Sequence, residues 1–73
     1  MKGLSEFVKE RRKSANLTQV EFADIAGVAL TVVRKIEQGK TNLNLDKVNQ
    51  VLSMFGHALM PIREERVDDK EVG

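Results

Sequence analysis

The chain has 73 residues, 41% of them hydrophobic and 32% charged, with a formal net charge of +1, no cysteine and one histidine. This composition predicts one soluble domain with a modest core, to which dimerisation would add stability, and no apolar run reaches the roughly 18 residues of a membrane span. Without cysteines, a histidine cluster or a signal-peptide pattern in residues 1–16, we expect a cytoplasmic protein that holds no metal and no cofactor.

The first predicted element is a helix over residues 5–14, with Ser5 as its N-cap. Three apolar side chains recur there at helical spacing and are expected to pack onto the core: Leu4, Phe7 and Val8. The basic run at residues 11–13 fits the last turn, where cations interact favourably with the helix dipole. Arg12 in this run is also a candidate phosphate ligand. Asn16 is expected to take the left-handed conformation in the turn that follows.

The next stretch predicts two short helices joined by a tight turn. Thr18 and Glu21 have the spacing of a capping box, so a helix should begin at residue 19 and end at residue 26. Gly27 supplies the positive φ that a tight exit requires, and a second helix is expected over residues 30–38. This is the arrangement of a helix-turn-helix, which places its second helix in the major groove of DNA.

The sizes of the side chains support this pair of helices. Ala23 is small enough to let the second helix cross the first closely, and five residues can form the apolar seam between them: Phe22, Ala26, Val28, Val33 and Ile36. At about 100° per residue, the opposite side of the second helix carries the candidate base-contacting residues: Leu30, Thr31, Arg34, Lys35 and Gln38.

A loop then leads to a fourth helix, predicted over residues 45–55 with Asn44 as its N-cap. Its apolar stripe should close the bundle and consists of Leu45, Val48, Val51, Leu52 and Phe55. Backbone amides at the start of this helix can hold a phosphate. The candidate phosphate-contacting residues are Gln19, Arg12, Lys40, Thr41 and Asn44. An ordinary solvated residue is the alternative for Gln19 and for Lys40.

Residues 57–63 alternate in a way that predicts a short strand at the end of a domain spanning residues 1–63. A lone strand in a helical protein has no partner, so we expect it to pair with a second copy as an antiparallel ribbon shortened by Pro61. The dimerisation residues are Ala58, Leu59, Met60 and Ile62. Residues 64–73 carry two basic and five acidic residues and are expected to be a disordered acidic tail.

The two halves of the sequence differ in charge. Residues 1–40 contain eight basic and five acidic residues, which gives a net charge of +3, whereas residues 41–73 contain four basic and six acidic residues, which gives −2. A basic N-terminal part with an acidic tail is the asymmetry expected of a small nucleic-acid binder, although solvated helix faces would look the same.

The motif L-T-Q-x-E-x-A-x-x-A-G-V at residues 17–28, followed by V-V-R-K-I-E-Q-G-K-T at residues 32–41, resembles the Xre and lambdoid phage Cro/C1 repressor family. The resemblance covers roughly residues 5–56. The segment H-A-L-M-P-I that follows resembles the HipB-like antitoxins instead, in which a strand after the fourth helix builds the dimer. Ala29 and Leu30 depart from the family, which usually has a Ser or Thr N-cap and then a polar residue.

The resemblance implies an all-α, four-helix, lambda-repressor-like domain that binds a palindromic operator in double-stranded DNA as a homodimeric repressor. It also implies an antitoxin that regulates its own promoter and pairs with a HipA-like kinase toxin. A stand-alone phage-type repressor and a module that chiefly binds a kinase are the alternatives. Catalysis is not expected, because four short helices leave little room for a pocket and the histidine has no nucleophile or carboxylate at motif spacing.

Overall fold

The computed structural model describes residues 3–61, and within this range it consists of four α-helices without a strand. In chain order the helices are α1 (Leu4–Ser14), α2 (Gln19–Ala26), α3 (Leu30–Glu37) and α4 (Leu45–Ser53). Helix α3 packs against each of the other three. No helix of the described part is long and apolar enough to cross a membrane. The prediction of a four-helix domain is confirmed.

The core lies where α3 meets the other helices. Its buried apolar residues are Val8, Phe22, Ala23, Ala26, Val33, Ile36, Val48, Val51 and Leu52. Four of the five residues predicted for the seam between α2 and α3 are in this set, and Val28 is half-buried against it. Ala23 is also buried, which fits a close approach of α3 to α2.

The predicted capping box at the start of α2 is confirmed. The Oγ1 atom of Thr18 accepts a hydrogen bond from the backbone N–H of Glu21 at 3.1 Å, and the Glu21 carboxylate accepts one from the backbone N–H of Thr18 at 2.8 Å. Asn16, in the turn before it, has a φ of 59° as expected. These local bonds fix the point at which the chain leaves α1 and enters α2.

The turn between α2 and α3 is held by α4. Gly27 has a φ of 75°, and a Cβ atom at this position would lie 3.0 Å from the side-chain nitrogen of Gln50. That same nitrogen donates to the carbonyl oxygens of Ala26 at 2.9 Å and Gly27 at 3.0 Å. Gln50 therefore satisfies carbonyl groups that the end of α2 leaves without partners.

Three helix ends differ from the predictions. Helix α1 begins one residue early, after an N-cap at Gly3 that has no side chain, so the prediction of Ser5 as N-cap is wrong. Helix α3 ends at Glu37 rather than at residue 38, and α4 ends at Ser53 rather than at residue 55. A turn over residues 54–56 tightens the end of α4, as is common at helix termini.

Leu45 was expected in the apolar stripe of α4, but its side chain is 65% exposed. Leu45 is the first residue of α4, and the side chains that pack on the core come from the later turns of the helix. The remaining residues of the stripe are buried or half-buried as predicted.

The chain beyond α4 runs along that helix. The backbone N–H of Leu59 donates to the Oδ1 atom of Asn49 at 2.7 Å, and residues 57–61 form neither a helix nor a paired strand in the single chain. Pairing of residues 57–63 across a dimer needs a second copy and stays a prediction. Ile62 and the acidic tail at residues 64–73 lie outside the described residues.

Candidate nucleic-acid interface

The outward face of α3 carries most of the predicted base-contacting residues. Thr31, Arg34, Lys35 and the C-cap residue Gln38 are all exposed. Leu30 was expected on the same face, but it is half-buried and packs against the core. The exposed face is therefore more polar than the sequence suggested, and two basic side chains dominate it.

The inward face of α3 is fixed by packing and by a buried carboxylate. Val33 and Ile36 are almost fully buried, and the side chain of Glu37 is only 3% exposed. Two nitrogens of the Arg12 guanidinium donate to this carboxylate, Nε to Oε2 at 2.7 Å and Nη2 to Oε1 at 3.0 Å. The side-chain nitrogen of Gln19 donates to Oε1 at 3.1 Å. One carboxylate on α3 thus joins the end of α1 to the start of α2.

The electrostatics of this cluster keep both partners ionised. Burial alone would raise the pKa of Glu37, but hydrogen bonds from Arg12 and Gln19 and the charges of Arg12 and Lys9 outweigh it and lower the pKa. The hydrogen bond to Glu37 is the largest cause of the raised pKa of Arg12. An ion pair with two parallel hydrogen bonds is the geometry that favours the charged forms most strongly.

The structure places two predicted phosphate-contacting residues in this cluster rather than on an open surface. The Arg12 side chain is 12% exposed, and its Nη1 atom donates to the carbonyl oxygen of Leu17 at 2.8 Å, in addition to the bonds to Glu37. Gln19 is half-buried. The Arg12 guanidinium and the Gln19 amide each have a further N–H hydrogen that the bonds to Glu37 and Leu17 do not use. Either side chain can therefore donate to a phosphate while it keeps its bonds within the protein.

The other predicted phosphate-contacting residues lie in and beside the loop after α3. Lys40, Thr41 and Asn44 are exposed. The Oδ1 atom of Asn44 accepts hydrogen bonds from the backbone N–H groups of Asp46 at 2.9 Å and Lys47 at 3.2 Å, which confirms the predicted N-cap of α4. These amides are therefore already partnered by their own cap.

A cleft between α3 and the start of α4 brings Lys35 together with Lys47, which sequence reasoning missed. The signal was present, since an N-cap at Asn44 places Lys47 in the first turn of α4, on the side of the loop that follows α3. In the part of the chain that the structure describes, Arg34, Lys35, Lys40 and Lys47 form no ion pair. The same part contains no cluster of side chains that could hold a metal ion.

Comparisons with known proteins agree with this geometry. Residues 8–56 match the helix-turn-helix family HTH_3. The chain is 40% identical over 53 residues to an uncharacterized HTH-type transcriptional regulator, y4mF, of Sinorhizobium fredii (strain NBRC 101917 / NGR234). That match covers 73% of this chain and 70% of the relative. No solved structure matches the chain significantly.

Proposed function

Because the chain belongs to the HTH_3 helix-turn-helix family, we propose that it is a transcriptional repressor that binds duplex DNA as a homodimer. The observation that carries the proposal is the contrast between the two faces of α3. Its inward face is buried and tied to α1 and α2 through Glu37, while its outward face presents Arg34 and Lys35 without ion-pair partners among the described residues. A rigid helix with such a face can enter a major groove.

Base contacts and phosphate contacts divide between different parts of the surface. Arg34, with Thr31 and Gln38 beside it on the exposed face, is the main candidate for reading base edges, since guanidinium groups bind guanine with two hydrogen bonds. Leu30 can contact a thymine methyl only with the part of its side chain that the core leaves exposed. Lys40 and Thr41 lie where they can hold phosphates and set the register of the helix.

Symmetric binding requires two copies. Leu59 and Met60 are 40% and 74% exposed, and the bond from Leu59 to Asn49 holds this apolar segment against α4. Pairing of the segment with its counterpart would bury both side chains and place two α3 helices about 34 Å apart, in successive major grooves. A palindromic operator follows from this symmetry.

We also propose that the chain is the autoregulating antitoxin of a HipBA-like pair in the cytoplasm, and that it is not an enzyme. The resemblance of residues 57–62 to HipB-like antitoxins supports the first part. Co-purification of a HipA-like kinase encoded by the adjacent gene would test it, and the absence of such a gene would favour a stand-alone phage-type repressor. The absence of kinase, phosphatase and nuclease turnover in the purified protein would test the second.

Selection of bound duplexes from a random pool tests the DNA-binding proposal. We expect a palindromic site with half-sites one helical turn apart. Arg34→Ala should lose about 1 to 3 kcal/mol of discrimination at one base position, whereas Lys40→Ala should weaken binding to all sequences and reduce the salt dependence. If no duplex is enriched, or if both variants bind the selected site as tightly as the original protein at every salt concentration, the proposal is wrong.

A further inference from the structure

The cleft between α3 and the start of α4 has features of an anion site. Its volume is about 160 Å³, and it is lined by two lysines, three polar residues and three apolar residues: Lys35, Lys47, Thr31, Asn42, Asn44, Val32, Leu43 and Val48. No carboxylate lines it. Thr31 and Lys35 are one helical turn apart and share the side of α3 that faces α4.

The charged side chains that line the cleft are both positive. Two like charges line one concavity, and neither lysine forms an ion pair in the described part of the chain. Lys47 also lies in the first turn of α4, where the helix dipole disfavours a cation. A bound anion would pair with two positive side chains and would offset the unfavourable position of Lys47 at the start of its helix.

Two backbone N–H groups at the start of α4 are already bonded within the protein. The N–H groups of Asp46 and Lys47 are taken by the side chain of Asn44. The charged groups available to an anion in the cleft are the two lysines, and Thr31 and Asn42 also line it and can donate hydrogen bonds.

We propose that the cleft binds one phosphodiester group of the DNA whose major groove receives α3, and that Lys35 and Lys47 hold this phosphate together. The inference rests on the proposed function, because DNA lying along the outward face of α3 brings its backbone to the edge of the cleft. Lys35 then positions the protein on the duplex and does not read a base. Sequence reading is left to Arg34, which points about 100° away around the helix and does not line the cleft.

The test measures the salt dependence of binding to one selected duplex for the original protein, Lys35→Gln, Lys47→Gln and the double variant. Lys13→Gln, at an exposed position on α1 outside the cleft, is the matched control. If both lysines share one phosphate, the slope of log K against log salt should fall by about one in the double variant and by less than one in each single variant. Base preference should be unchanged in all of them, and circular dichroism should show the same helix content.

Each of the following results would overturn the proposal while leaving DNA binding intact. The first is a slope for the double variant that equals the slope of the control. The second is a slope that falls by about two, which would indicate that the lysines contact separate phosphates. The third is a change of base preference at one position in Lys35→Gln. Inorganic phosphate, compared with chloride at equal ionic strength, is the probe for a free-anion site. In a further outcome, inorganic phosphate shifts the amide resonances around Asn42 while the lysine variants leave the salt slope of duplex binding unchanged. That combination would also contradict the proposal, because the cleft would then bind a free anion and not the DNA backbone. Failure to select any duplex would instead remove the proposed function.

Discussion

Glu37 has the most demanding environment of any charged side chain in the described part of the chain. Its carboxylate is almost completely buried and receives hydrogen bonds from Arg12 on α1 and Gln19 on α2. Removing such a group from water is costly, and the cost is offset only when every acceptor position is well bonded. The cluster therefore fixes how three helices sit together more than it adds to stability.

Removing one partner of this pair should be much worse than removing both. Arg12→Met leaves the carboxylate buried with Gln19 as its remaining donor, and we expect the free energy of unfolding to fall by about 3 kcal/mol. Urea denaturation followed by circular dichroism measures this directly. In the double variant Arg12→Met with Glu37→Met the unpaired charge is gone, and at least half of the loss should be recovered. Equal losses in the single and double variants would show that the charge is not the cause.

The same carboxylate predicts how stability depends on pH. The pKa of Glu37 is lowered from its ordinary value of 4.5, so the folded state binds the proton less readily than the unfolded chain does. The contribution of Glu37 to the free energy of unfolding is complete at pH values above its pKa in the unfolded chain. It is lost as the pH falls through the lower pKa of the folded state. Urea midpoints measured from neutral to acidic pH should fall more steeply for the original protein than for Glu37→Gln. Parallel curves would contradict the assignment.

At the level of the elements, α3 lacks the side-chain cap that its neighbours have. Ala29 has the extended backbone of an N-cap, with φ −69° and ψ 150°, but makes no capping bond, whereas Thr18 and Asn44 cap α2 and α4. Ala29→Ser should add about 1 kcal/mol to the free energy of unfolding without altering the fold. Thr18→Ala is the matched opposite, with an expected loss of similar size. No gain from Ala29→Ser would mean that water already satisfies these amides equally well.

The elements show why some features were predictable and others were not. The capping box at Thr18 and the turn at Gly27 depend on residues three or four apart, so the sequence displays them directly. The bonds between Arg12 and Glu37 join residues 25 apart, and no local pattern indicates that a basic residue in a charged run turns inward. Leu45 has helical spacing with the other apolar residues of α4, yet it is exposed. Spacing shows which residues share one side of a helix, but it does not show which of them reach the core.

For the whole molecule, the proposed assembly depends on one apolar surface. The segment after α4 and the side of α1 next to it form a shallow groove lined by Leu4, Phe7, Leu52, His57 and Leu59, among others. Met60 follows this groove and is the most exposed of the large hydrophobic residues in the described range. A chain this small buries limited apolar area by itself, so covering this surface with a second copy would stabilise both.

Placing a charge at Met60 should separate the two copies without unfolding either. In Met60→Lys the side chain stays in water in the monomer, where the residue is already 74% exposed, but two lysines would meet near the two-fold axis of the proposed dimer. We expect the dimer dissociation constant to rise at least about tenfold, equivalent to about 1.4 kcal/mol. Sedimentation equilibrium should then report the 8.2 kDa mass of one chain at concentrations where the original protein sediments as two.

Ile25→Lys is the control for this change, since Ile25 is 62% exposed on α2 and lies outside the groove. It should leave the sedimentation behaviour unaltered. Loss of the dimer in Met60→Lys should also convert binding of a palindromic duplex into independent, weaker binding of each half-site, because the two α3 helices are no longer joined. A Met60→Lys protein that still sediments as a dimer would place the interface on another surface, and the spacing of the half-sites would then have to be explained from that surface.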